Sequence, residues 1–574
     1  KLSTLNVSNF DAAMQGRATG VQVTSAAGTP GAISRIMIRG TNSISQSTEP
    51  LWVIDGMIIG SSVENLADIQ GGANEISPMA LINPNDIESI EILKDATATS
   101  IYGNRGSNGV IIVTTKTGKD QAKASISIAT GVSELSRHPD DIGFAGTREW
   151  FQLVETAREN SNFTPAQFHP TAQNVVGAQP GSNATLSREQ ALATEINWMD
   201  QILQTASFID VNTSVSRDFD EKGSLYVSGN FRNDEGILKF TDLRRYAGRA
   251  NLNFEIVEGL NSEARFSLSY LNSNRRKSQG PGEPCCNQYI ASGGFNQAAV
   301  NTYSWLPVYD PNYPGQQVLF DPLSGNNHVA SFDPDNFRDN NRQLRILTGL
   351  ALEYALPALR ELKIRGEFSL DIHQSHNILW ANTVIRENSA YAFDDNQNHR
   401  NLLYNLYTTY QKKINRHGLE VVLGMESQEE TERRTFLEGQ GLNGSAQEIG
   451  VPAEPLRLGS FWGGEIYRRG FFGRINYKFD DKYLLAASFR RDGTSVFTEE
   501  NRWASFPSVS AGWIVSDEPF MNNIPAIDFL KLRSSWGKTG NAQTPVGITV
   551  DAFTGWGRYG SRADDVGSGD LLVN

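Results

Sequence analysis

The sequence has almost no cysteine. Its only two, Cys285 and Cys286, are adjacent in a segment rich in proline and glycine. Two neighbouring thiols do not make a zinc site by themselves, which leaves a strained vicinal disulfide or two free loop thiols as alternatives. Histidine is also scarce, with seven in 574 residues. The sequence contains no recognisable metal-ligand cluster and no recognisable Ser/His/Asp constellation. We therefore expect no metal, no cofactor and no catalytic residue.

Positive charge is in short supply. The chain has 51 Lys and Arg against 64 Asp and Glu, a formal net charge of −13. Binding of nucleic acid requires a basic face that neutralises phosphates. The charge balance therefore argues against a nucleic-acid partner.

Long hydrophobic runs are missing as well. No stretch approaches the ~18 apolar residues of a transmembrane helix, and hydrophobic residues make up only 39% of the chain. By hydropathy alone such a chain is soluble, with one exception. The strands of a membrane β-barrel alternate lipid-facing apolar with inward polar residues, so their average is polar. The 52 glycines and 10% aromatic residues suit strands, turns and aromatic girdles.

Residues 1–118 carry short β-rich runs separated by glycine, proline and asparagine, and predict a small α+β domain. The continuous apolar run Val110–Val113 is typical of a strand covered on both faces. A second strand is predicted at Ile87–Leu93, with a glycine-rich link between the two. A phosphate-binding loop is the alternative for that link, but no helical pattern follows its glycines, as such a loop requires.

From about Ala124 onward the pattern changes to segments of about ten residues in which apolar and polar residues alternate, as in Phe471–Phe479. Tilted segments of that length cross a bilayer core. Thirteen strands are predicted, near 124–133, 209–218, 223–233, 245–255, 261–272, 342–354, 362–372, 401–411, 419–427, 468–479, 483–491, 508–515 and 529–537.

The predicted connections are unequal on the two sides of this sheet. Long ones fall at 134–208, 273–341, 373–400 and 428–467, and short ones at 219–222, 256–260 and 480–482; 234–244 and 516–528 depart from the rule. Short turns on one side and long loops on the other are typical of outer-membrane barrels. Within the first long loop we expect one helix at 147–160 and another from a capping box at 187–190 to about 203.

The segment 81–116, LINPNDIESIEILKDATATSIYGNRGSNGVIIVTTK, resembles the end of the plug domain of TonB-dependent transporters. Its particular residues resemble those of the SusC-like (RagA-like) branch. MQGRATGVQV at 14–23, IRG at 38–40 and LWVIDG at 51–56 agree with this. So do three stretches in the strand-rich part: NWMDQI at 197–202, NDEGI at 233–237 and LKLRSSWGKTGN at 530–541.

This resemblance implies a transmembrane antiparallel β-barrel, with 22 strands in the family, and an N-terminal α+β plug in its lumen. The implied domains are a plug at 1–118 and part of a barrel with long extracellular loops at 119–574. The family imports oligomeric nutrients, mostly glycan oligosaccharides and in some members peptides. Its members work with TonB and its energising complex and with a SusD-like lipoprotein lid. The implied location is the outer membrane of a Gram-negative, Bacteroidota-like cell, in contact with the lipid bilayer.

Candidate site residues follow from the same motifs. Arg39 and Arg105 are expected to face carboxylates of the barrel wall, with simple surface or turn roles as the alternative, and Asp55-Gly56 is most economically a turn. The plug-motif residues are Arg39, Gly40, Asp55, Gly56, Lys94, Asp95, Tyr102, Gly103, Arg105, Gly106 and Gly109. Aromatic residues on long loops stack on sugars, pack the loops together or contact a lid, and the candidates are Trp305, Tyr309, Tyr313, Phe436 and Trp462.

Some features stay open or are set aside. Neither a TonB-box segment with its usual preceding domain before Lys1 nor closing strands after Asn574 are visible, so we expect the sequence to be incomplete. The alternatives to import are a scaffold role in an envelope complex and signal transduction; an enzyme is the least favoured. Gly537-Lys538-Thr539 lacks the first glycine of a phosphate-binding loop, and the carboxylate pairs Asp140/Asp141 and Glu429/Glu430 are read as solvated charge.

Overall fold

The computed structural model describes residues 9–25, 28–40, 48–59, 76–95, 99–118, 122–136, 143, 145–160, 188–219, 222–276, 303–309, 329, 332–382, 390–442, 454–523, 527–540, 552–553 and 572–573. Among the helices in these ranges, none combines the length and the apolar character needed to cross a membrane.

The described residues of the N-terminal part contain two small sheets. In the first, β1 (Val21–Ser25) pairs antiparallel with β2 (Ser34–Ile38). The strands of the second are β3 (Leu51–Ile54), β4 (Met57–Ile58), β5 (Ile87–Leu93) and β6 (Val110–Thr115). Their order in the sheet is β4-β3-β6-β5, in which β3 and β6 are parallel and the other pairs antiparallel. Short 3-10 helices lie at Ala12–Met14, Pro78–Leu81, Pro84–Asp86 and Ser100–Arg105.

Strand β6 lies at the centre of this domain. Val110, Ile111 and Val113 are fully buried, which confirms the expectation from the uninterrupted apolar run. The buried face packs with Phe10, Trp52 and neighbouring aliphatic residues. We refer to this domain as the plug, and its boundary at about residue 118 stays a prediction.

Beyond the plug, the described chain contains one large antiparallel sheet whose thirteen strands follow in sequence order. The predicted number of strands in this sheet is confirmed. The strands are β7 (Lys123–Ser133), β8 (Ala206–Asp218), β9 (Gly223–Glu235), β10 (Asp242–Val257), β11 (Leu260–Asn274), β12 (Phe337–Leu356), β13 (Leu359–Ala381), β14 (Ala390–Ile414), β15 (His417–Leu442), β16 (Glu454–Phe479), β17 (Tyr483–Thr494), β18 (Trp503–Ile514) and β19 (Lys531–Gly537). Two short strands, β20 (Ala552–Phe553) and β21 (Leu572–Val573), pair separately.

Two of the predicted long loops are mostly strand. The connections expected at 373–400 and 428–467 shrink to 382–389 and 443–453, because β13 to β16 run much further toward the long-loop side than predicted. The outer face of β13 changes from Ile372 to Gln374 and His376, while backbone pairing continues to Ala381. Alternation of apolar and polar residues marks only the part of a strand that has one apolar face. The predicted strands therefore ended where the outer face becomes polar, although the actual strands continue.

The sheet, called the wall below, has an inner face toward the plug and an outer face. On β16 the outer residues Phe471 and Ile475 are 53% and 49% exposed, while Arg474 and Asn476 point inward and are half-buried. A continuous exposed apolar face is what a lipid-facing surface requires.

In its described residues, the first long loop contains three helices. Helix α1 (Thr147–Asn160) has the predicted bounds. The second predicted helix is wrong in extent: it is two short helices, α2 (Arg188–Ala193) and α3 (Trp198–Ile202). The break occurs because the Asn197 side chain caps α3 by accepting from the Met199 amide at 3.1 Å, and the Glu195 carboxylate accepts from the Thr147 amide at 3.0 Å.

Candidate functional site

On one side, the plug presents carboxylates to arginines of the wall. Asp55 Oδ2 lies 3.1 Å from Arg249 Nη1 on β10, and Asp55 Oδ1 lies 3.5 Å from Arg265 Nη1 on β11. Asp86 Oδ2 is 3.8 Å from Arg249 Nε, and Asp86 Oδ1 accepts from the Tyr226 hydroxyl at 2.9 Å. The Asp55 side chain is fully buried and that of Arg249 is 2% exposed, so these charges interact with little screening by water.

Local backbone geometry places Asp55 there. Asp55 and Gly56 both have positive φ, 51° and 84°, and form the two-residue turn between β3 and β4. The turn interpretation therefore holds. The same side chain also accepts from the amide and the hydroxyl of Thr115, at 2.8 and 2.7 Å, which fixes the carboxylate to β6.

On another side of the plug the charges are reversed. Arg105 bonds Glu426 and Gln428 on the inner face of β15. Arg490 on β17 donates to the same Glu426 at 2.9 Å and to Asp492 at 2.6 Å. Burial lowers the pKa of the Arg105 guanidinium below its ordinary value, and the Glu426 carboxylate partly offsets this.

The backbone of the plug also bonds the wall here. Asp492 Oδ2 accepts from the Asn104 amide at 3.0 Å, and Arg490 Nη1 donates to the Ile101 carbonyl at 2.8 Å. Gly103 has φ 57°, and a Cβ built on it would overlap Asp492 Oδ2. This close approach explains the need for glycine at that position.

The other two glycines of the link between β5 and β6 serve packing inside the plug. A Cβ on Gly106 would lie 2.5 Å from the Thr99 carbonyl oxygen, and one on Gly109, where φ is 91°, would lie 2.7 Å from Ile38 Cδ1. Tyr102 packs against the apolar cluster around β3 and β6, and burial raises the pKa of its hydroxyl to about 12.

Of the two arginines expected to face wall carboxylates, Arg105 does so and Arg39 does not. Arg39, at φ 59° beside Gly40, pairs with Asp95 of the plug itself at 2.7 Å and donates to the Lys94 carbonyl at 3.1 Å. Asp95 in turn lies 3.4 Å from Arg533 on β19. The expectation for Arg39 is wrong because the turn after β2 directs it along the plug surface.

Aromatic residues of two long loops form one buried cluster. Trp305 is fully buried and stacks on Tyr303 with centroids 4.8 Å apart; Trp150 lies 5.5 Å away. The Trp198 indole donates to the Tyr303 carbonyl at 3.0 Å. Of the alternatives for Trp305, the structure places it in loop packing.

The other aromatic candidates lie apart from this cluster. Tyr309 is 53% exposed. Phe436 packs beside Tyr391 and Phe393, with the Arg434 guanidinium 5.8 Å from its ring centroid. Tyr313, the Trp462 side chain, both cysteines, Asp140 and Asp141 lie outside the described residues.

Comparison with known proteins agrees with this geometry. The model of the TonB-dependent Receptor Plug Domain matches residues 1–110, and that of the TonB dependent receptor-like beta-barrel matches residues 287–570. The chain belongs to the TonB-dependent receptor family. The predicted fold class, an antiparallel transmembrane β-barrel with an N-terminal plug, is thereby confirmed, as is the resemblance to the SusC-like branch.

Several relatives support the branch. This TonB-dependent receptor is 31% identical to TonB-dependent receptor P26 of Formosa agariphila over 96% of its own length and 51% of the relative's. It is 29% identical to TonB-dependent receptor SusC of Bacteroides thetaiotaomicron, over 94% and 51% respectively. The RagAB peptide transporter structure superposes with a TM-score of 0.75 at 21% identity, covering 96% of this chain and 60% of that one. The chain spans about half the length of the curated relatives it matches.

Sequence reasoning missed the wall residues of the receptor's site. Arg249, Glu426, Arg490 and Asp492 were not singled out, and Asp86 was passed over within a recognised motif. The sequence did contain a signal for them, because all four are charged residues at inward-facing positions of strands in which inward and outward residues alternate. A charge on the inner face of a plugged barrel needs a partner, and the plug is the nearest source of one.

One buried carboxyl in the receptor's plug predicts a dependence on pH. Asp11 is 2% exposed and accepts from the Ser77 hydroxyl at 2.8 Å. Burial raises its pKa to about 6, and the hydrogen bond from Ser77 only partly opposes this. Between about pH 4 and about pH 6 the unfolded chain has lost this proton while the folded plug keeps it. We therefore expect the plug to lose about 3 kcal/mol of stability as pH rises through that window.

Hydrogen exchange of plug amides at about pH 4.5 and about pH 7 measures this change. Asp11→Asn, which cannot ionise, should abolish this contribution to the pH dependence. An unchanged difference between the two pH values in the variant would contradict the prediction.

Proposed function

We propose that the protein is an outer-membrane importer of oligomeric nutrients, in which TonB moves the plug to open a path through the barrel. The observation that carries this proposal is the kind of contact between plug and wall. Buried ion pairs and hydrogen bonds hold the plug, including Asp55–Arg249 and Arg105–Glu426. Contacts between such polar groups are directional while water is excluded, and the separated groups are favourably hydrated once water enters. These properties suit a plug that is firmly held yet removable under force.

Glycan oligosaccharides are the favoured ligand, with peptides next. At the long-loop end, proposed to be extracellular, the inner wall carries buried aromatic and amide groups, among them Tyr391, Phe393, Asn377 and Gln397. Within the described part of the chain, Gln397 Oε1 has no hydrogen-bond partner. Aromatic faces and neutral amides suit both the hydroxyls of a sugar and the backbone of a peptide.

A SusD-like surface lipoprotein is the proposed partner at that end. Support comes from the packed loop cluster around Trp305, in which α1, α2 and 303–308 are joined into one unit. A preformed loop surface loses little entropy when a partner docks on it. The membrane is proposed to be the outer membrane of a Bacteroidota-like cell, in keeping with the organisms of the relatives above.

The test is gentle purification of the full-length protein from its native membrane, with mass spectrometry of everything that accompanies it. A stoichiometric SusD-like lipoprotein and a bound glycan or peptide are expected. Growth on that ligand should require both the protein and TonB. A set of envelope-assembly proteins without ligand, or growth independent of TonB, would overturn the proposal, and release of cleaved ligand by the purified protein would point to an enzyme.

Tyr309 remains the candidate for ligand contact that is exposed in the described loops. Replacing it with alanine is expected to weaken ligand binding by roughly two- to tenfold, the effect of one lost aromatic contact. Calorimetry with the co-purified ligand measures this. Tyr404→Ala, which removes a tyrosine of similar exposure from the outer face of β14, should leave affinity unchanged; equal affinities for the two variants would contradict the assignment of Tyr309.

A further inference from the structure

Two neighbouring strands each carry an Arg-Arg pair, Arg468-Arg469 on β16 and Arg490-Arg491 on β17. In both pairs the first arginine points inward and is neutralised: Arg468 bonds Glu430 at 2.6 Å, and Arg490 bonds the wall carboxylates described above. Successive residues of a strand alternate between faces, so the second arginine of each pair points outward. Arg469 and Arg491 are both exposed.

The register brings these two outward arginines together. Arg469 lies opposite Gly493 on β17 and Ser427 on β15, and Arg491 lies opposite Phe471 on β16 and Ser505 on β18. Arg491 is two positions from Gly493, so the arginines are diagonal neighbours on one face, with Cα atoms about 7–8 Å apart. Three of the four residues opposite them are small, and the fourth, Phe471, is an exposed aromatic residue beside Arg491.

Their charges are not compensated within the described part of the chain, where neither Arg469 nor Arg491 has an ion pair. Arg491 lies over the ring of Trp503, with its Cζ 5.6 Å from the centroid. The carboxylates in the adjacent rows of this face are occupied. Glu429 accepts from Arg400 at 2.9 Å, and Glu465 accepts from the Tyr467 hydroxyl at 2.6 Å.

The position of the two arginines along their strands determines their depth relative to the membrane. Met425 and Phe471 lie in register with Arg491 and on the short-turn side of Arg469, and they are 48% and 53% exposed. Phe489, which is 53% exposed, lies on the short-turn side of both arginines. Phe471 also stacks on Trp503, with centroids 6.3 Å apart. Arg491 therefore lies at the edge of the apolar outer face and Arg469 just beyond it, beside aromatic residues of the kind found at membrane–water interfaces.

We propose that Arg469 and Arg491 bind the phosphate of an anionic outer-leaflet lipid, a phosphorylated glycolipid of the lipid A type. Its acyl chains would lie on Phe471, Phe489 and Met425. Guanidinium groups match phosphate oxygens in bidentate geometry, and basic groups at this level attract anionic headgroups. The inference rests on the proposed outer-membrane placement with the long loops outside.

The test is native mass spectrometry of the full-length protein in detergent, titrated with bis-phosphorylated lipid A. The variant is the double substitution Arg469→Gln with Arg491→Gln. Each arginine is expected to account for about fivefold in affinity, so the double variant should bind roughly 30-fold more weakly. The matched control is Arg360→Gln, which removes an exposed arginine at the short-turn end, where it pairs with Glu258, and should bind like the wild type.

Three results would overturn the proposal: equal lipid binding by the double variant, equal binding of dephosphorylated lipid A by the wild type, or displacement of the lipid by millimolar inorganic phosphate, which would mark a plain anion site. Nutrient import is scored separately by growth. If the wild type imports the nutrient but does not bind lipid A, this inference alone is refuted. If the wild type does not support growth on the ligand, the proposed function is refuted.

Discussion

Replacing Glu426 with glutamine is expected to loosen the plug by about 3–5 kcal/mol, because the change leaves buried arginines without their shared carboxylate. Arg105 of the plug and Arg490 of the wall both bond Glu426. In the variant Arg105 keeps the neutral Gln428, and Arg490 keeps Asp492. The loss should appear as faster hydrogen exchange of plug amides in 99–118 and as greater sensitivity of cells to a large hydrophilic antibiotic.

An exposed ion pair provides the control. Glu258→Gln breaks the pair with Arg360, whose side chains are 85% and 77% exposed, and exposed pairs contribute little to stability. Plug exchange in this variant should match the wild type. Adding Arg105→Gln to Glu426→Gln should restore part of the loss, since an unpaired buried charge costs more than a missing pair. Equal exchange in Glu426→Gln and Glu258→Gln would refute the assignment of this contact as a plug anchor.

The architecture could be predicted from sequence because each level of it leaves a local signal. Alternation with period two marks strands, and the strand order follows from hairpin connections in an antiparallel sheet. The covered strand Val110–Thr115 was legible for the same reason, since an apolar run without alternation has no solvent face. Where β13 and β15 continue with polar residues on both faces, the signal stops although the backbone pairing does not.

The site was predicted only in part, for a different physical reason. Arg105 was singled out by its motif, but its partner Glu426 lies 321 positions away in sequence. Which inward residues meet the plug depends on how the sheet curves around it, and no local pattern encodes that. Trp305 illustrates the same limit: an aromatic residue on a loop can pack or bind, and the choice depends on whether another loop, here through Trp150, covers it.

The two anchors of the plug have opposite polarity. Asp55 and Asp86 carry negative charge to β10 and β11. Arg105 carries positive charge to Glu426 on β15, which Arg490 of β17 also contacts. The two anchors share no partner among the contacts described above. Energies of independent contacts add, whereas contacts within one network do not. Combining mutations in the two anchors therefore tests whether the plug is released in steps or all at once.

Asp55→Asn is expected to weaken the first anchor by about 3 kcal/mol, because Arg249 then keeps only Asp86 at 3.8 Å as a charged partner among the described residues. Asparagine tolerates the positive φ of the turn and can still accept from the Thr115 amide, so the change tests charge rather than backbone strain. Hydrogen exchange of plug amides measures the loss. Combined with Glu426→Gln, the two losses should add to within about 0.5 kcal/mol. A combined loss well below the sum would mean that breaking one anchor already frees the plug from the other, so that a pull at one end releases the whole domain in a single step.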